Sequence, residues 1–126
     1  MRVYWSISIE TCKSLESGSR ISVEGTQAIS ATQGFANTLE TSDQDELDLM
    51  AALAASDLGL PGHAVAVGDL EAEVVDDELG EVVLKGDIAL SDIACLLIAD
   101  VEAQELSWFG IQEIDDLAAA LQAKGK

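Results

Sequence analysis

A chain of 126 residues, 48% hydrophobic but only 4% aromatic, is one domain's worth of sequence and long enough to bury a core without disulfides or metal. Its 24 acids against 6 bases give a formal net charge of −18, which argues against nucleic-acid binding, since that requires a basic patch. Charge this high without low hydrophobicity excludes a chain disordered throughout.

Residues 2–10 alternate, with Val3, Trp5, Ile7 and Ile9 on one side and Tyr4, Ser6, Ser8 and Glu10 on the other. This predicts a half-buried strand. Ser17-Gly18-Ser19 reads as a turn, and residues 20–24 alternate again, so a hairpin is expected. The stretch 25–42 is rich in Gly, Thr, Ser and Gln, with a weak third strand around residues 28–31.

The first helix is expected after Ser42 or Asp43 as N-cap, with Glu46 three residues past Asp43 as in a capping box. Asp45 and Glu46 fall in its first turn, where the helix dipole favours anions. Leu47, Met50, Ala51, Ala54 and Leu58 recur at helical spacing, and Gly59 and Pro61 end the pattern. Residues 64–68, 70–75 and 81–90 are β-prone, with Asp76-Asp77-Glu78-Leu79-Gly80 as a hairpin turn. Ser91 reads as a second N-cap for a helix carrying Ile93, Leu96, Leu97, Asp100 and Val101, although residues 94–99 fit a buried strand as well. A last helix places Ile111, Ile114, Leu117, Ala118 and Leu121 in one stripe, with Gln112, Glu113, Asp115 and Asp116 off it. The expected fold is a single α+β domain over residues 1–126: a small antiparallel sheet of about four to six strands against two or three helices.

No catalytic residue, cofactor or metal site is expected. His63, the one histidine, follows Pro61-Gly62 in a loop, and no Ser or Cys near it in sequence makes a recognisable triad. Counted from Asp43, an EF-hand would need an oxygen ligand at position 5 and Gly at position 6, where Leu47 and Asp48 stand. Asp76, Asp77 and Glu78 lack the required Gly spacing too. Paired carboxylates arise by chance among so many acids and do not make a glycosidase. Trp108-Phe109 could anchor a partner, but a core plug is the preferred reading, because large rings usually supply buried area. Cys12 and Cys95 form no CxxC unit and read as reduced thiols. With no signal-peptide-like run at the start and an apolar stretch at 93–99 too short for a bilayer, a cytoplasmic protein without membrane contact is expected.

The placement of charge is the strongest functional signal. Residues 21–84 carry 14 acids and no base, and residues 86–123 carry 8 acids and no base. The partner should therefore be a basic protein surface, and many such surfaces exist to hold DNA or RNA. A domain of this length is roughly 35 Å across, from a radius of gyration near ~14 Å. Duplex DNA of that length carries about 20 charges at one per ~1.7 Å, close to the −18 here. In charge and length the chain resembles DNA mimics encoded by phages and plasmids, such as anti-restriction and anti-CRISPR proteins. The resemblance implies an inhibitor that occupies the nucleic-acid-binding surface of a nuclease or defence complex. The candidate contact residues come from this sequence alone: Asp43, Asp45, Glu46 and Asp48 at the first helix, Asp76, Asp77, Glu78 and Glu81 at the hairpin, and Glu113, Asp115 and Asp116 at the last helix. Two alternatives stay open. One is an acidic adaptor or chaperone for a basic partner. The other is a halophile's housekeeping domain, against which count nine Ile and the equality of Asp (12) and Glu (12).

Overall fold

A computed structural model describes residues 1–100 and 102–124. In chain order the elements are β1 (Arg2–Ile7), α1 (Ile9–Glu16), β2 (Ile21–Ser22), β3 (Gln27–Ile29), α2 (Gln33–Leu39), α3 (Gln44–Asp57), β4 (Ala64–Asp69), β5 (Ala72–Asp76), β6 (Glu81–Leu84), β7 (Asp87–Ile88), a 3-10 turn at Leu90–Asp92, β8 (Ile93–Asp100), β9 (Glu105–Phe109) and α4 (Ile114–Lys124). The α+β class holds, with more elements than expected. Seven strands form one antiparallel sheet in the order β5-β6-β3-β1-β4-β8-β9, and β2 pairs with β7 in a second.

The first expected hairpin does not form. Ser8 accepts a hydrogen bond from the Thr11 amide, caps α1, and ends β1 at Ile7, so Ile9 and Glu10 are helical. Ile9, Cys12 and Leu15 then turn a common face toward the core. β1 pairs instead with β3 and β4 in mid-sheet, and both of its faces are covered: Trp5 is 2% exposed and Tyr4 1%. The weak third strand is β3. The polar stretch after it holds α2, capped by Thr32, whose hydroxyl accepts from the Phe35 amide.

α3 begins where the sequence placed it. Asp43 is its N-cap, accepting from the Asp45 amide, but the reciprocal arm of a capping box is missing, because the Glu46 carboxylate binds the Thr41 hydroxyl. Leu47, Ala51, Ala52 and Ala55 are buried, whereas Leu58 is exposed at the C-cap. The β5–β6 hairpin forms around the 77–80 turn, and Gly80 closes it at φ 67°. A Cβ there would overlap the Ser30 carbonyl and press on the Phe35 ring. The expected strand over 81–90 breaks at Gly86 into β6 and β7. The expected second helix is β8, a strand. Its apolar run is that of a strand buried on both faces: Ile93, Leu96 and Ile98 face one cluster and Leu97 the other. Ser91 lies in the 3-10 turn rather than capping a helix, and Val101 lies outside the described residues. α4 buries Ile114, Leu117 and Leu121 as the stripe predicts, with Ile111 just ahead of it.

The sheet is strongly curled. β4 and β5 lie four places apart in it, about 19 Å if flat. Only Leu70 and Glu71 join them, and Asp69 to Ala72 spans at most about 11 Å. Backbone bonds from the Leu70 amide to the Met1 carbonyl and from the Lys85 amide to the Glu71 carbonyl continue the β1–β4 and β5–β6 ladders into this short connection. The concave face encloses Val3, Trp5, Ala66, Leu84 and Leu96, closed off by α1 and α4. α2 and α3 cover the convex face over Tyr4, Ile29, Val65, Val67 and Leu97. No helix among the described residues is long and apolar enough to cross a membrane.

Candidate protein-interaction surface

The acids stand on rigid elements, not on a tail. Asp43, Asp45 and Glu46 are exposed in the cap and first turn of α3. Asp77 and Glu78 are exposed in the β5–β6 turn, between half-buried Asp76 and Glu81. That turn sits beside α2: Thr32 donates its hydroxyl proton to the Asp77 carbonyl at 2.7 Å.

Hydrogen bonds connect the turn to α3. The Ser30 amide donates to the Gly80 carbonyl at 2.8 Å, and its hydroxyl donates to the Arg2 carbonyl at 2.8 Å. Arg2 Nε donates to Tyr4 Oη at 3.1 Å, and Tyr4 Oη donates to Asp48 at 2.6 Å. Gln44 Nε2 completes the Asp48 shell at 2.9 Å. Thus the α3 and hairpin groups of acids are joined through β1, beside an open concavity of about 520 Å³ lined by Arg2, Tyr4, Ser30, Ala31, Gln44 and Asp48, of which Asp48 is the one candidate acid. The third group is separate. α4 packs on the concave face, so the sheet divides Glu113, Asp115 and Asp116 from the other two groups.

The acids also divide by role. Asp43 caps α3, Asp76 accepts from the Leu79 amide, and Glu113 accepts from the Gly110 amide. Asp48 is tied to Tyr4 and lies 4.0 Å from Arg2. These four, and Glu46 through the Thr41 hydroxyl, have structural work. Asp45, Asp77, Glu78, Asp115 and Asp116 make neither a side-chain hydrogen bond nor an ion pair among the described residues. Lys85 is held between Glu24 and Glu73 at 3.6 and 3.5 Å, so the one base between residues 21 and 123 relieves neither group on the α3 side.

Two constellations were hidden in the sequence. The Arg2–Tyr4–Asp48 network joins residues 44 apart. Ser6 Oγ lies 3.0 Å from His63 Nδ1, across 57 residues. Gly59 allows that second contact, since a Cβ on it would overlap Ser6 Oγ. No carboxylate bonds the far side of His63 among the described residues, so the pair lacks the orienting third member of a triad. Among the described residues no three of His, Cys, Asp and Glu gather as metal ligands. Trp108 is no core plug: it stands 55% exposed on the last strand, while Phe109 packs half-buried on the concave cluster. No family model, curated protein or solved structure matches the chain.

Both cysteines are free, and burial raises both thiols, Cys12 to about 11. Burial likewise pushes the Tyr4 hydroxyl to about 12, against the opposing pull of its hydrogen bond from Arg2. In both groups the folded state favours the neutral form. Their stabilisation is therefore complete below the ordinary values of 9 for the thiol and 10 for the phenol. It is lost as pH rises through 9–11 for Cys12 and 10–12 for Tyr4. Two units correspond to roughly 3 kcal/mol for each group. Urea midpoints should hold from pH 7 to 9 and then fall steeply; a flat profile to pH 11.5 would contradict the burial argument.

Proposed function

We propose that the protein is a nucleic-acid-mimicking inhibitor that occupies the basic DNA- or RNA-binding surface of a nuclease or defence complex, of the anti-CRISPR or anti-restriction kind. The observation that carries this reading is the pair of acid groups on α3 and the β5–β6 turn. Asp43, Asp45, Glu46, Asp77 and Glu78 among them are exposed, and both groups are fixed to a common hydrogen-bonded framework. Phosphates on a duplex are likewise held in fixed positions, and a rigid anion array binds a preformed basic groove without the ordering entropy that an acidic tail would lose. The total charge, −18, matches about one turn's worth of duplex in magnitude. The third group, on the opposite face, lies outside the proposed contact.

The test is displacement. Purified protein titrated into a nuclease complex holding a labelled duplex should release the duplex at 50 mM salt, and the half-effective concentration should rise at least about tenfold by 200 mM, because each charge contact is screened. Binding to the basic complex without release of duplex would make the protein an acidic adaptor or chaperone. Unfolding in dilute buffer with recovery in molar salt, followed by circular dichroism, would instead mark a halophile's housekeeping domain.

A further inference from the structure

We propose that β9 is a docking strand that takes an extended basic segment of a partner protein as an eighth strand of the sheet, with Trp108 as its anchor. β9 closes the sheet order, and among the described residues β8 is its one neighbour within the sheet. Its other side offers alternate amide and carbonyl groups that make no backbone bond among the described residues.

The two edges of the sheet are treated differently. At the β5 edge the register breaks between Val74 and Asp76, and Lys85 reaches Glu73 at 3.5 Å. A bulge is a usual means of blocking strand addition, and Lys85, the residue after β6, brings a positive charge to the same edge. β9 has neither: its five residues pair with β8 in continuous register from Glu105 to Phe109, with no Lys or Pro among them. It is also where the most exposed aromatic ring lies. Trp108 stands opposite Leu97, which is fully buried, yet is itself 55% exposed. An uncovered Trp beside an unpaired strand edge supplies both components of strand-addition recognition, main-chain bonds for affinity and a side-chain contact for selectivity.

Charge selects the occupant. Exposed Glu102 and Glu105 precede Trp108, and exposed Glu113, Asp115 and Asp116 follow it, with no base from residue 86 to residue 123. A second copy would bring −18 against −18. A segment alternating basic and apolar residues matches the flanking acids, and its cations can stack on the indole face. The premise of a basic partner is shared with the mimic reading, but the contact lies on a different strand.

The probe is an acetylated, amidated octapeptide alternating Lys and Val, with a version N-methylated at every second residue as control. N-methylation leaves the charge but removes the donors needed for a ladder. Binding is read by Trp fluorescence, which reports Trp108 because Trp5 is buried, and by amide hydrogen exchange. The proposal expects slowed exchange at 105–109 and about tenfold weaker binding for the N-methylated peptide. Trp108→Lys should weaken the parent peptide about tenfold, and Trp108→Phe should restore most of it. Equal affinity for the two peptides, no binding, protection confined to 43–48 or 77–81, or dimerisation through β9 without peptide would each overturn it. Duplex displacement by the unaltered protein separates the two ideas: displacement without strand addition leaves the mimic reading standing, and strand addition without displacement leaves this one.

Discussion

Leu97→Ala is expected to lower the free energy of unfolding by about 3 kcal/mol, within the ~2–5 kcal/mol range for buried Leu truncation. Leu97 is fully buried in mid-strand on β8, between Val65 of β4 and Trp108 of β9, in the cluster that α3 covers. The α3 residues in that cluster are mostly alanines, Ala51, Ala52 and Ala55, all fully buried. Such short side chains cannot swing into the gap, so a cavity should persist. The loss matters against a total stability of about 5–15 kcal/mol. Net charge of −18 narrows that margin further at low ionic strength, because self-repulsion acts on the compact state. The measurement is a urea titration at two salt concentrations with an unchanged slope. Leu58→Ala, at the exposed C-cap of the same helix, should cost under about 1 kcal/mol. Equal costs at the two positions would mean that α3 is not firmly seated on the sheet.

Asp45→Lys combined with Glu78→Lys should weaken displacement of duplex by about 100-fold, at roughly 1.4 kcal/mol per reversed contact. The two positions are chosen because their side chains hold nothing together. Asp43 and Asp76 are left in place, since each accepts a backbone amide and its loss would disturb α3 or the hairpin turn. The paired control is Asp115→Lys with Asp116→Lys on α4, across the sheet. It changes the net charge by the same amount but should reduce displacement only severalfold, because exposed charges beyond a Debye length of about 8 Å are largely screened at 0.15 M salt. Similar losses from both doubles would show that the acidity acts as a diffuse field, and the mimic reading would fall. Circular dichroism on each variant separates binding from folding.

Much of this is legible in the sequence. α3 announced itself through Asp43 and the helical spacing behind it, α4 through the Ile114, Leu117 and Leu121 stripe, and the β5–β6 hairpin through its acidic turn ending in Gly80. The departures have separate causes. Residues 2–10 alternate as a strand would, but Ser8 can cap a helix, and that local hydrogen bond prevails from Ile9 onward. The run at 93–99 fits helix and strand equally well, and it became β8 because β4 and β9 supply partners on both sides. Trp108 was expected inside because large rings usually are; its place on an edge strand left it outside.

By itself the sequence determined the amount of charge, its dispersal and its outward placement, because net charge is a sum over residues and the periods of helix and strand send the interleaved apolar positions inward. It also determined the class of fold, since the periods of helix and of strand both occur along the chain. Only the tertiary structure decided which acids act together. The hydrogen bonds running from Ser30 through Arg2 and Tyr4 to Asp48 link the β5–β6 turn to α3 by way of β1, while α4 packs on the other face of the sheet. Neighbourhood between elements tens of residues apart depends on which surfaces pack, and no local pattern encodes it.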